Sequence, residues 1–151
     1  MNRVEIKMFK AAHLDLIELR EHDLKNLPLG MFEAFEDMPS DKGQALTLIV
    51  DGRILCIVGF YMLWDGVMDV YVLPSIYIPK YPVIFVKTIR RYVKSLGSTF
   101  NVHRMQSTAL ADEASDKWMK AVGFEEEGVL RQYSKDKSDY KMWARILECQ
   151  D

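Results

Sequence analysis

The chain has 151 residues, 49% of them hydrophobic and 28% charged. That size and makeup suit one globular domain with its own core, and exclude a chain dominated by disorder or low complexity. Its 20 Lys and Arg stand against 22 Asp and Glu, a balance that argues against nucleic acid or an anionic membrane as partner.

The longest apolar stretches, such as residues 54–63, are well short of the roughly 20 residues that span a bilayer. The opening residues lack the apolar core of a signal peptide. The two cysteines, Cys56 and Cys149, argue against a disulfide framework. Cys56 sits in an apolar run and reads as a small core residue. The expected compartment is the reducing cytoplasm.

Residues 4–9 alternate apolar and polar, as a half-buried strand does. Residues 12–27 read as a helix, with Leu16, Leu19 and Leu24 among its apolar positions. Pro28 suits the first turn of a second short helix, whose stripe is Met31, Phe32, Phe35 and Met38. Residues 40–44 form a polar loop. The centre is rich in β-branched and aromatic residues, with strands predicted over 45–50, 54–63 and 67–73. Asp51-Gly52 and Asp65-Gly66 between them are hairpin signals. These strands make an antiparallel meander that ends at Pro74.

Pro82 opens the clearest helix, predicted over 82–96. Phe85, Ile89, Tyr92, Val93 and Leu96 form its buried stripe, and Lys87, Arg90, Arg91 and Lys94 its wet face. Gly97 is the expected residue just past its end. A strand follows over 103–110. Asp112 caps a helix that reaches Val122 and stops at Gly123. Residues 124–133 and 140–146 close as a hairpin. The order is β-α-α-β-β-β-α-β-α-β-β. The crossover through the long helix is expected to be right-handed and to bring two strands parallel.

Nucleotide-binding glycine motifs, a nucleophile elbow and zinc-ligand spacings are all missing. His13, His22 and His103 stand far apart, so no metal site is expected.

The last third carries a recognisable pattern. Lys120-Ala121-Val122-Gly123-Phe124-Glu125-Glu126-Glu127-Gly128 is followed by Leu130-Arg131-Gln132-Tyr133 and then by Asp139-Tyr140-Lys141-Met142-Trp143. This resembles the end of GNAT-superfamily N-acetyltransferases, with their K-x-x-G-F-x-x-E-G turn, L-R-x-Y and D-x-x-x-(W/Y). The resemblance implies a single GNAT-like domain over residues 1–151, an α/β fold with a mixed sheet, and transfer of an acetyl group from acetyl-CoA to an amine. In that family the fourth strand holds the pantetheine arm through its backbone. A (Q/R)-x-x-G-x-(G/A) loop then offers amides to the pyrophosphate at a helix N-terminus, where orphan N–H groups and the helix dipole favour anions.

Here Val70-Tyr71-Val72-Leu73-Pro74 resembles the end of the fourth strand. The loop falls on Tyr77-Ile78-Pro79-Lys80-Tyr81-Pro82, with Lys80 and Pro82 in the glycine positions. The resemblance thus implies cofactor contacts at Val72, Leu73, Lys80, Tyr81 and Val83, with acetyl-CoA binding weak or absent because Pro82 has no N–H. For catalysis it implies Asp69 as the base. Met119 occupies the usual position of the acidic tyrosine, which leaves Tyr133 as its replacement.

Two function classes remain open: an N-acetyltransferase with a degenerate donor loop, and a non-catalytic GNAT-fold binding or assembly protein. Small internal virion proteins of short-tailed phages are similar to the second in length and in lacking the glycine loop. The basic face of the long helix could serve a nucleic acid, but reads first as a solvated face. The acceptor amine is not identified by any motif. A protein partner or homodimer is open to either class.

Overall fold

The computed structural model describes residues 1–27 and 29–148. In chain order the elements are β1 (Val4–Met8), α1 (His13–Leu16), α2 (Glu21–Asn26), α3 (Leu29–Glu33) with a 3-10 turn after it (Ala34–Asp37), β2 (Gly43–Val50), β3 (Arg53–Trp64) and β4 (Val67–Pro74). A second 3-10 turn (Ile78–Lys80), α4 (Pro82–Phe100), β5 (Arg104–Leu110), α5 (Glu113–Ala121), β6 (Glu125–Leu130) and β7 (Tyr140–Ile146) complete it. The strands form one seven-stranded sheet in the order β1-β2-β3-β4-β5-β7-β6. β2 is antiparallel to β1 and β3. β4 and β5, joined through α4, run parallel, and β7 is antiparallel to β5 and β6. This is the mixed α/β sheet the sequence predicts. No helix among the described residues is long and apolar enough to cross a membrane. The contacts divide the chain into two compact units, Met1–Tyr61 with Tyr71–Pro82, and Met62–Val70 with Val83–Asp151.

In the first unit the Asp51-Gly52 turn has positive φ at both positions, 50° and 80°, as a type I′ hairpin requires. Phe9, Ile17, Phe32, Phe35, Ala45, Ile57 and Leu73 bury their side chains in one cluster. β2 begins at Gly43, earlier than predicted, and the position needs glycine: a Cβ there would lie 2.8 Å from the Phe60 carbonyl oxygen. Cys56 is fully buried, and desolvation pushes its thiol up to about 12; Cys149 lies outside the described residues.

Residues 12–27 are not one helix. The backbone turns extended at Ile17 (ψ 132°) and Arg20 (ψ 154°). Leu19 forms a β-bridge with Ser75, and Glu18 accepts a hydrogen bond from the Ile76 amide at 2.9 Å. These pairings with a distant segment replace the helical bonds that periodicity suggests. Leu16 and Leu24 are consequently exposed, while Ile17 and Asp23 are buried. Arg20 Nε donates to the Asp23 carboxylate at 2.8 Å, so the buried charge is paired. The predicted opening of the next helix at Pro28 lies outside the described residues. Of that helix's stripe, Phe32 and Phe35 are buried, Met38 packs partly against the cluster, and Met31 is exposed.

His13, at the start of α1, accepts at Nδ1 from the Lys10 amide at 3.2 Å and lies 2.7 Å from the fully buried Thr47 hydroxyl. The amide contact requires an unprotonated Nδ1. Burial first, then Lys10 and Lys7, hold the His13 pKa below its ordinary value, with Glu36 opposing them.

In the second unit, α4 passes through Gly97 rather than stopping there. Gly97 serves packing, since a Cβ would lie 2.9 Å from Leu147 Cδ1, and the left-handed residue after the helix is Asn101 (φ 50°). Phe85, Ile89, Val93 and Leu96 are buried as predicted. Tyr92 is half-buried, with its hydroxyl enclosed and lacking a hydrogen-bond partner among the described residues. Trp118 is half-buried and meets Phe85 edge-on at 5.8 Å. Asp112 caps α5 by accepting from the Ser115 amide at 2.8 Å, and Gly123 takes φ 100° at its end. β6 stops at Leu130, before the predicted end at 133, because its ladder with β7 ends at Leu130↔Tyr140 and Gln132 turns to φ 53°.

Two outcomes follow from this packing. Phe85→Ala should destabilise the protein by about 3–5 kcal/mol in chemical denaturation, the usual loss for a buried phenylalanine. The fold favours neutral His13, so its contribution is complete above the unfolded-state pKa of about 6.5 and is lost as pH falls through the lower folded-state value. Stability measured from about pH 7 downward should therefore fall less steeply in a His13→Asn variant.

Candidate functional site

The donor-loop segment belongs to the first unit, and its amides are largely engaged within the chain. The Ser75 amide donates to the Leu55 carbonyl at 3.0 Å and the Ile76 amide to the Glu18 carbonyl at 2.9 Å. The Tyr77 amide donates to Ser75 Oγ at 3.1 Å. The 3-10 turn then uses two more, Lys80 to the Tyr77 carbonyl at 2.9 Å and Tyr81 to the Ile78 carbonyl at 3.0 Å. Pro79 and Pro82 carry no N–H. A loop built in this way offers few amides to an anion. In α4, helix geometry leaves the amides of Val83 and Ile84 without partners in their own helix.

Side chains tie the same segment down. The Tyr77 hydroxyl donates to Glu18 Oε2 at 2.6 Å, and Arg53 lies over the Tyr77 ring at 4.8 Å. Tyr81 is buried, and its hydroxyl donates to Asp51 Oδ2 at 3.1 Å. Asp51 Oδ1 accepts from the Arg3 amide at 2.8 Å. That amide first, then the Tyr81 hydroxyl, hold the Asp51 carboxyl below its ordinary pKa against the opposing effect of desolvation.

Of the residues the sequence assigns to the cofactor, Tyr81 thus has both its amide and its hydroxyl committed inside the fold. Leu73 is fully buried, main chain included, and offers no accessible group to a cofactor. Val72 is half-buried, and Lys80 and Val83 are exposed. Lys80 Nζ stands 5.6 Å from the Tyr81 ring centroid. Also in this unit, Tyr71 donates a short hydrogen bond to the Tyr61 hydroxyl and the rings stack at 5.1 Å.

In the second unit, Asp69 is half-buried on β4 and in register with Gln106. The ladder pairs Val67, Met68 and Asp69 with Arg104, Met105 and Gln106, while β4 runs on to Pro74 and β5 to Leu110. Arg104 donates from Nε to Gln106 at 3.0 Å and grips Glu127 with two bonds, at 2.9 and 2.6 Å. Glu127 can make this contact because the β6–β7 register shifts between Glu126 and Gly128, leaving it as the bulged residue. The bond to Glu127 raises the Arg104 pKa more than desolvation lowers it, and the nearby Asp69 charge adds to the rise. In the sequence Glu127 is one position of a turn motif, and no motif gives Arg104 a role. The i, i+2 placement of Arg104 and Gln106 on one strand face was the available signal.

Tyr133 is exposed in the turn beyond β6, with its ring 5.2 Å from that of Tyr140. The structure does not bring it to Asp69. Asp69 aligns with Gln106 and, across β5, with Ala144, whereas Tyr133 lies past the Leu130↔Tyr140 level. By strand rise and strand spacing, the two backbones are separated by about 13 Å along the sheet and a further 14 Å or so across it. The residue pair assigned as base and acid therefore does not form one catalytic site. Met119, in the usual tyrosine position, is half-buried on α5, and its carbonyl accepts from the Phe124 amide at 3.0 Å. Among the described residues, no group of three or more His, Cys, Asp or Glu side chains is placed to hold a metal ion.

Several solved structures share this fold. The chain matches an acetyltransferase of the GNAT family from Streptococcus pneumoniae at 12% identity and a TM-score of 0.71, over 97% of this chain and 100% of that one. A mutant spermidine N-acetyltransferase from Vibrio cholerae matches at 10% identity and a TM-score of 0.69, over 95% and 93%. An aminoglycoside acetyltransferase in complex with coenzyme A matches at 15% identity and a TM-score of 0.66, over 95% of both chains. No family model matches the chain, and no curated protein matches it by sequence. At these identities the likeness establishes the fold, which is that of the GNAT acetyltransferases. The suggested likeness to phage virion proteins finds no support among these structures.

Proposed function

We propose that this chain is an N-acetyltransferase that moves an acetyl group from acetyl-CoA to an amine and holds its donor weakly. The observation that carries the reading is the likeness to acetyltransferases along at least 95% of the chain. In the reaction, the free amine attacks the thioester carbonyl carbon, the C–S bond breaks, and an amide and the CoA thiol result. Asp69 takes the proton that the attacking nitrogen must lose. The departing thiolate takes its proton from water, which suffices for a thiol of pKa about 8.5. The backbone at Val72 holds the pantetheine arm. Lys80 and the Val83 amide attract the phosphates in place of the missing loop amides, although Lys80 contributes a mobile point charge and no fixed cradle.

The donor side is tested by calorimetric titration of acetyl-CoA at low and physiological ionic strength. The unmodified protein should bind weakly and lose affinity with salt, because its remaining attraction is mainly Coulombic. Pro82→Gly restores one amide and should tighten binding by roughly tenfold to a hundredfold. Micromolar binding by the unmodified protein that survives physiological salt would overturn this account of the loop.

Turnover is tested by following CoA thiol release with a panel of primary amines at saturating donor. Asp69→Asn should lower the rate by about a hundredfold or more with an unchanged melting curve. An unaffected rate would remove Asp69 from the mechanism, and no transfer to any amine would remove the proposed activity.

A further inference from the structure

β1 is an outermost strand of the sheet, with β2 as its hydrogen-bonded neighbour. The Phe9 amide donates to the Ala45 carbonyl, and the Asp51 amide to the Arg3 carbonyl. In an antiparallel ladder the direction of the main-chain groups alternates, so residues 3, 5, 7 and 9 face β2, while Val4, Ile6 and Met8 turn their N–H and C=O groups to the free edge. The pairing with β2 runs without a register shift from Val4↔Val50 to Met8↔Leu46. No bulge or proline blunts this edge, and it carries the apolar side chains Val4, Ile6 and Met8, at 45%, 56% and 56% exposure. Natural proteins usually protect such edges.

The charges on the other face of β1 identify the occupant. Glu5 lies 2.9 Å from Arg3 and 3.7 Å from Lys7. Consider a second β1 running antiparallel and centred on Ile6. Ile6 then faces Ile6 of the other copy, and Val4 faces Met8, all at hydrogen-bonded positions that use the outward main-chain groups. Glu5 falls opposite Lys7 of the other copy, and Lys7 opposite its Glu5. These are non-hydrogen-bonded positions, where facing side chains approach most closely. One register therefore satisfies the main chain, matches apolar with apolar and pairs opposite charges twice. A two-fold axis makes the patch complementary to itself.

We propose that β1 is a dimerisation edge that binds β1 of a second copy of this chain antiparallel about Ile6. The ladder would gain about six main-chain hydrogen bonds, and the two sheets would continue into one.

The test is sedimentation velocity over a concentration series. The unmodified protein should show a concentration-dependent dimer. In Ile6→Pro the lost N–H is one that faces away from β2, and edge strands tolerate proline at such a position. This variant should be monomeric, with an unchanged circular dichroism spectrum. Lys7→Glu places like charges opposite each other at both pairs and should weaken the dimer by about tenfold. Glu5→Lys alone should weaken it similarly. An equimolar mixture of the Lys7→Glu and Glu5→Lys chains restores opposite charges at both positions, and should form a heterodimer more stable than either homodimer. This arm decides the matter even if Ile6→Pro unfolds. A protein that stays monomeric up to about 1 mM, or a dimer that the charge variants and their mixture do not alter, would overturn the proposal.

Discussion

The carboxylate of Asp51 joins three segments that are distant in sequence. The residue sits in the tight turn between β2 and β3 with φ 50°. One oxygen receives the Arg3 amide, just before β1, and the other receives the Tyr81 hydroxyl from the segment after β4. Its own amide donates to the Arg3 carbonyl at 2.8 Å, which closes the end of the β1–β2 ladder. This arrangement fixes which groups of β1 face inward and which face the free edge. It also anchors the end of the segment whose amides are turned away from any donor phosphate. The geometry of the edge and the character of the loop therefore share one anchor.

Features set by neighbours in sequence were legible before the fold was known. Asp51-Gly52 marked a hairpin because its backbone requirement is local. The spacing of Phe85, Ile89, Val93 and Leu96 marked the buried side of α4 for the same reason. Asp112 and Gly123 marked the ends of α5 by a side-chain cap and a positive φ. The failures were of another kind. The break at Ile17–Arg20 goes with a bridge from Leu19 to Ser75, and Gly97 lies inside the helix where a side chain would meet Leu147. In both places a tertiary partner outweighs local preference.

The candidate site divides along the same line. The sequence showed that Pro82 withholds an amide. It could not show that the amides of Ser75, Ile76, Tyr77, Lys80 and Tyr81 are all engaged, since their acceptors include the Glu18 and Leu55 carbonyls. The assigned base and acid were each plausible as residue types, yet sheet register places Asp69 and Tyr133 far apart. Arg104 and Glu127 escaped notice because the bulge that brings them together is a property of two paired strands.

Cys56 gives the protein a chemical reporter of its own motions. Its side chain is fully buried on β3, and its thiol is pushed up to about 12. The thiolate is the form that reacts with alkylating reagents, and in the closed state it is both scarce and sheltered. Modification of Cys56 must then wait for an opening that exposes the middle of a strand with neighbours on both sides. When closing outpaces modification, the alkylation rate reports the free energy of that opening, as amide exchange does for backbone hydrogen bonds. A single sulfur thus provides a local clock for how often the sheet breathes, with no label added to the chain.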